Sequence, residues 1–115
     1  MLVESGQIDN YCGKGDIKSM ADKVVALDQV LRVSMNFAKE NPDTLIIVLA
    51  DHETGGLVIG EGEPNSDWFT EPEKYHTPAN VPLFAYGMNS NVFEGKLLDN
   101  TEVFEYMMKL MGLEK

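Results

Sequence analysis

Positive charge is what this 115-residue chain has least of: nine Lys and Arg stand against 19 Asp and Glu, for a net charge of −10 and a pI near 4.4. Arg32 is the single arginine. No basic patch can form against that excess, so a nucleic-acid partner is excluded. The same charge would repel a phosphate-bearing substrate unless bound cations invert the local field. Cysteine is also scarce. Cys12 is alone, so no intrachain disulfide exists and the count does not settle the redox compartment. No apolar run approaches the length of a membrane span and no signal peptide precedes the first motif, so neither a membrane partner nor an export signal is expected. Repeats and low-complexity tracts are also missing. What remains, 43% hydrophobic and 24% charged residues, is ordinary for a soluble globular protein, and 115 residues suit one domain.

The strongest positive feature is residues 44–56, TLIIVLADHETGG. Five consecutive aliphatic residues, Leu45 to Leu49, read as a strand buried on both faces, the kind found in parallel sheets. The run stops at Asp51-His52 and enters a turn at Gly55-Gly56. Ligands bind beyond the carboxyl ends of such strands, and a carboxylate beside an imidazole there forms a pair of metal ligands. By itself the pair is read first as a capping Asp followed by an incidental His, and further sites in the chain turn that reading towards metal ligands.

Upstream, Met1-Leu2-Val3 reads as the tail of a strand, with Glu4 next, so the sequence is expected to begin partway through a larger fold. Residues 5–15 read as a polar, glycine-rich loop. Asp16 is a plausible N-cap for a helix to about Glu40, in which Met20, Val24, Leu27, Leu31, Met35 and Ala38 form one apolar stripe and Asp28 marks a kink. Asn41-Pro42-Asp43 stops it. A strand–helix–strand unit of this kind implies a right-handed crossover and parallel pairing, which would put Glu4 and Asp51 at the same sheet edge. Residues 57–59 suit a short strand. Residues 60–80 lack periodicity and suit a functional or lid-like loop. Residues 81–86 (VPLFAY) suit another strand, 91–93 a helical turn, and Asp99 or Asn100 opens a last helix ended by Gly112, with Val103, Phe104, Met107, Met108 and Met111 facing inward.

Three segments therefore flank strands with candidate ligands: Glu4 and Asp9 in VESGQID, Asp51 and His52 in ADHETGG, and His76 in the segment leading to VPLFAYG. In this order the chain resembles the C-terminal part of the bacterial alkaline phosphatase family. The DHETGG string followed by His-Thr and VP-x-FAYG carries the resemblance. It implies a three-layer α/β fold, a mostly parallel sheet flanked by helices, with residues 1–115 forming the C-terminal fragment of a catalytic domain. It implies metal-dependent hydrolysis of phosphate monoesters, with zinc and magnesium as cofactors; the family is usually periplasmic or extracellular, and the location of this chain is left open. Residue by residue, Glu4 matches the magnesium ligand, Asp9 and His76 match ligands of a first zinc, and Asp51 and His52 match ligands of a second. Imidazole and carboxylate suit zinc, and a hard oxygen ligand suits magnesium. Where the family carries a further first-zinc histidine this chain has Gly13; the neighbouring Cys12 is expected to point elsewhere. The family's nucleophilic serine, the carboxylate bridging second zinc and magnesium, and the phosphate-binding arginine match no residue here, so no catalytic residue is assigned and the chain alone is expected to be inactive. A non-catalytic acidic metal-binding or structural module is the alternative. Either way, unpaired strand edges and apolar helix faces lead us to expect a homo-oligomer.

Overall fold

Local capping chemistry sets most of the element boundaries. The computed structural model describes residues 1–58 and 76–113. In chain order these form α1 (Gln7–Cys12), α2 (Ile17–Glu40), β1 (Leu45–Leu49), β2 (Leu83–Gly87), a 3-10 turn (Ser90–Phe93) and α3 (Asn100–Leu110). Two compact units are present: Met1–Val33 with His52–Val81, and Ser34–Asp51 with Pro82–Lys115. Among the described residues no helix is long and apolar enough to cross a membrane.

In the first unit, the expected loop at residues 5–15 contains a helix. No side chain caps α1 at Gly6, but its first turn is tied by Ile8 N–H donating to Ser5 C=O at 3.1 Å. Ile8 and Cys12, four residues apart, lie on one face; Ile8 is half-buried and Cys12 fully buried. Six residues are too few to show a helical period, which is why the sequence reads as loop. Gly15, at φ +68°, reverses the chain, and Asp16 then caps α2 as expected by accepting the Ser19 N–H at 3.0 Å.

The long helix α2 runs unbroken through Asp28. Instead of kinking, Asp28 pairs with Arg32 one turn later at 2.9 Å, an exposed i,i+4 contact worth a few tenths of a kcal/mol. Its stripe holds except at Val24: Met20, Leu27, Leu31 and Met35 are half-buried and Ala38 is buried, whereas Val24 is exposed. The helix ends where Asn41 folds back on it, donating Nδ2–H to Phe37 C=O at 2.8 Å.

In the second unit, β1 pairs with β2 antiparallel, Leu45 opposite Gly87 and Leu49 opposite Leu83. The expected parallel pairing is corrected here. It depended on a strand at Met1-Leu2-Val3, and that segment is neither strand nor helix. Among the described residues the sheet has two strands, so the mostly parallel three-layer arrangement is not formed by them. With one neighbouring strand, Leu45–Val48 are half-buried and Leu49 is exposed, rather than covered on both faces. Gly87 closes β2 at φ +97°, where a Cβ would collide with the Thr44 carbonyl oxygen, which instead accepts the Met88 N–H at 2.9 Å.

The last helix is specified at both ends. Asp99 accepts from Thr101 N–H while Glu102 reaches back to Asp99 N–H at 2.6 Å, a capping box. Gly112, at φ +66°, terminates it in a Schellman pattern, with Leu113 N–H on Met108 C=O and Gly112 N–H on Lys109 C=O. Its inward face is narrower than expected. Val103 is buried, but Phe104, Met107 and Met111 are exposed. The strand expected at residues 57–59 does not continue beyond an isolated bridge at Leu57, and Ile59 and residues 60–75 of the expected loop lie outside the described residues; residues 76–80 have no regular structure.

Candidate metal centre

Three side chains in the first unit converge. Asp9 comes from the first turn of α1, His52 from the turn that follows β1, and His76 from the segment before β2. One ligand atom from each can be chosen such that all three lie within 4.8 Å of one another. His76 Nδ1 stands 3.9 Å from Asp9 Oδ1, and the two imidazole rings face each other with centroids 3.8 Å apart and planes tilted by 33°. Glu4 and Asp51 are outside this group: Glu4 is exposed in the irregular N-terminal segment, and Asp51 is exposed at the end of the second unit's β1 segment.

The chemistry of the donors fits a metal ion. Ligand atoms around a tetrahedral zinc with bonds of ~2.0–2.1 Å stand about 3.4 Å apart, so atoms gathered within 4.8 Å are close enough to serve one ion or two neighbouring ones. Imidazole nitrogen and carboxylate oxygen are both zinc ligand types. Asp9 and His76 are each about half exposed, 46% and 50%, which leaves the cluster reachable from solvent. His52 Nδ1 lies 2.9 Å from the Glu53 carbonyl oxygen. A carbonyl only accepts, so Nδ1 is the donor in this contact, which in a neutral ring is the tautomer with its lone pair on Nε2.

A supporting layer surrounds the three, and sequence reasoning missed it. Thr54 Oγ1 donates to Asp9 Oδ1 at 2.6 Å, fixing the carboxylate from a position 45 residues away. Cys12 Sγ–H donates to the Thr54 carbonyl at 3.4 Å. Burial pushes the Cys12 thiol above its usual value, against the lowering effect of the Thr54 contact, and Cys12 is not among the three residues whose ligand atoms converge. Glu53 accepts from Thr77 Oγ1 at 2.6 Å, Thr77 N–H at 2.9 Å and Leu57 N–H at 3.3 Å. Burial alone would raise its pKa, but the hydrogen bonds from Thr77, Gly56 and Leu57 outweigh that and hold the carboxyl below the usual carboxylate range. The available signal was adjacency: Glu53-Thr54 follows one predicted ligand and Thr77 follows another, and oriented ligands need such partners. At Gly13 the backbone is ordinary helix (φ −62°, ψ −15°), and a Cβ there would meet only Asp9 O at 3.5 Å. Nothing in its surroundings requires glycine.

Residues 1–75 match the alkaline phosphatase family. The chain belongs to that family. It is 38% identical over 73 residues to alkaline phosphatase 4 of Bacillus subtilis, covering 63% of this chain and 15% of that one. It is 27% identical to the alkaline phosphatase of Escherichia fergusonii over 99% of this chain and 28% of the other. A 2,3-bisphosphoglycerate-independent phosphoglycerate mutase of Wolbachia pipientis is 30% identical over all of this chain and 21% of its own. The chain thus spans between about a seventh and under a third of these curated relatives. Among solved structures, alkaline phosphatase from the Antarctic bacterium TAB5 superposes with a TM-score of 0.81 at 26% identity, over 97% of this chain and 34% of that one. A mutant of the TAB5 enzyme with Mg bound gives 0.80 at 29% identity. The α/β class expected from the sequence is the class of these structures.

Proposed function

We propose that this chain is the ligand-bearing C-terminal portion of a metal-dependent phosphomonoester hydrolase. The observation that carries the reading is the convergence of Asp9, His52 and His76, ligand types suited to zinc, from three separated segments. In this reading Asp9 and His76 serve a first zinc, Asp51 and His52 a second, and Glu4 a magnesium ion. When bound, paired zinc ions supply charge stabilisation for in-line phosphoryl transfer and lower the pKa of a coordinated hydroxyl or water. The chain's own residues hold and orient. Asp9 offers a carboxylate steadied by Thr54, and His52 offers Nε2 with its tautomer set by the Glu53 carbonyl. They also offset an acidic chain's repulsion of phosphate by gathering cations. The nucleophile is assigned outside these 115 residues.

Cobalt(II), whose visible spectrum reports nitrogen and oxygen ligation, tests the centre. The chain should bind it, and Asp9→Ala or His76→Ala should weaken binding by about tenfold or more, ~1.4 kcal/mol. Cobalt affinity unchanged in both variants would refute the centre. The chain alone should not cleave a chromogenic phosphate ester. Turnover that survives repurification and disappears in Asp51→Ala would refute the assignment of the nucleophile elsewhere.

A second reading, a phosphomutase, is supported by the Wolbachia relative, which is similar along the whole chain. The two differ in where phosphate goes. Transfer from labelled substrate to a second hydroxyl rather than to water, in the protein that contains the nucleophile, would favour the mutase.

A further inference from the structure

We propose that Glu53 is a positioning residue: its carboxylate latches Thr77 and so holds the adjacent His76 imidazole against Asp9 and His52. The inference rests on the metal-centre reading above and adds a residue to it. His76 lies in a segment without helix or strand to fix it, yet its ring meets the His52 ring at 3.8 Å between centroids. Something must hold it there. Among the described residues, the short hydrogen bonds that tie this segment are on the next residue. Thr77 gives Glu53 both its hydroxyl, at 2.6 Å, and its backbone N–H, at 2.9 Å, onto the same oxygen, Oε2. Hydrogen bonds to an ionised carboxylate are about twice as strong as neutral ones, and the 2.6 Å separation is of that class.

The other carboxylate oxygen faces the turn. Gly55 and Gly56 adopt φ of +73° and +59°, and the turn presents the Leu57 N–H to Oε1 at 3.3 Å. Glu53 therefore ties two segments 24 residues apart in sequence, one carrying His52 and the other His76. Both its oxygens are engaged by donors, and it is not among the three residues whose ligand atoms converge. These bonds suit an orienting role and not coordination. The arrangement also explains why a hydroxyl residue follows His76: the Thr77 hydroxyl is one of the two points of attachment. Closing a loop of this length costs configurational entropy that a single surface contact would not offset, whereas two bonds to one half-buried carboxylate can.

The chain should be compared as wild type, Glu53→Ala, Thr77→Val and Thr77→Ser by two measurements. The first needs no metal: nuclear Overhauser contacts between the His52 and His76 rings, with amide spectra of α1 and α2 monitoring the fold. The contacts should be present in wild type and Thr77→Ser and lost in Glu53→Ala and Thr77→Val. The second is zinc titration followed by the imidazole resonances. Affinity should fall roughly 10- to 100-fold in Glu53→Ala and Thr77→Val, with His76 losing its zinc response while His52 keeps it, and recover to within about threefold of wild type in Thr77→Ser. Should Glu53→Ala fail to fold, Thr77→Val decides, because it removes one hydroxyl and keeps the side-chain volume. Ring contacts that persist in folded Thr77→Val would overturn the latch whatever zinc does. Intact ring contacts in wild type with no zinc response in either histidine would instead sink the metal-centre reading and leave the latch to the metal-free comparison.

Discussion

At the scale of single residues, the site is built from groups whose roles depend on their neighbours. Asp9 is an ordinary first-turn carboxylate until Thr54 reaches it at 2.6 Å, and His52 can offer Nε2 because its Nδ1 is directed at the next residue's carbonyl. Gly13 offers a direct test of which face of α1 points at the centre. It follows Asp9 by one turn, so the two positions share a helix face, and its backbone and surroundings accommodate a side chain. Gly13→His should therefore add a ligand and raise zinc affinity of the isolated chain by about tenfold, ~1.4 kcal/mol. Calorimetry showing unchanged affinity in a folded variant would place the binding atoms elsewhere. The candidate ligands themselves were legible as residue types beside strand ends. Their helpers were marked only by adjacency to the ligands, and nothing in Glu53, Thr54 or Thr77 says which group each meets until the segments come together.

Elements were legible where end signals are chemical and local. Asp16, the Asn41-Pro42-Asp43 stop, Asp99 with Glu102, and Gly112 mark α2 and α3 within a residue or two, because each acts on backbone groups no more than a turn away. The Asp16 cap has a pH signature. Hydrogen bonds from Ser19, backbone first, hold its carboxyl below the ordinary 3.8. The folded state thus favours the ionised form, so the contribution is present above that value and lost as pH falls through the folded pKa. Asp16→Ala should lower the melting temperature at neutral pH, and the gap from wild type should shrink below pH 3.8. A gap independent of pH would show that the cap is not the ionised carboxylate. At the other strand end, Gly87→Ala must either leave φ +97° or displace Thr44. We expect a loss of at least about 2 kcal/mol in urea unfolding, and a neutral substitution would mean the β1–β2 connection relaxes freely.

At the scale of the whole molecule, the buried apolar residues among those described are Cys12, Ala38, Phe93 and Val103, while Val33, Phe37, Phe84, Phe104 and Met111 are each more than half exposed. That many exposed large apolar side chains offer surface for a partner to cover, so light scattering on the purified chain should give a dimer or larger species. A clean monomer at high concentration would contradict that expectation. By itself the sequence determined the long helix, the capped last helix, the two apolar strands, the family resemblance and the residue types that could bind metal. Each follows from periodicity, capping or composition, which act over a few residues. Tertiary structure decided that β1 pairs antiparallel with β2, that residues 7–12 coil into a helix, and that Asp9, His52 and His76 converge while Glu4 and Asp51 lie outside their group. It also decided that Thr54 and Glu53 are the residues that tie distant segments of that cluster together. The cluster and its ties depend on contacts closed across 45 and 24 residues, and at such separations no local preference of the chain specifies which partner is met.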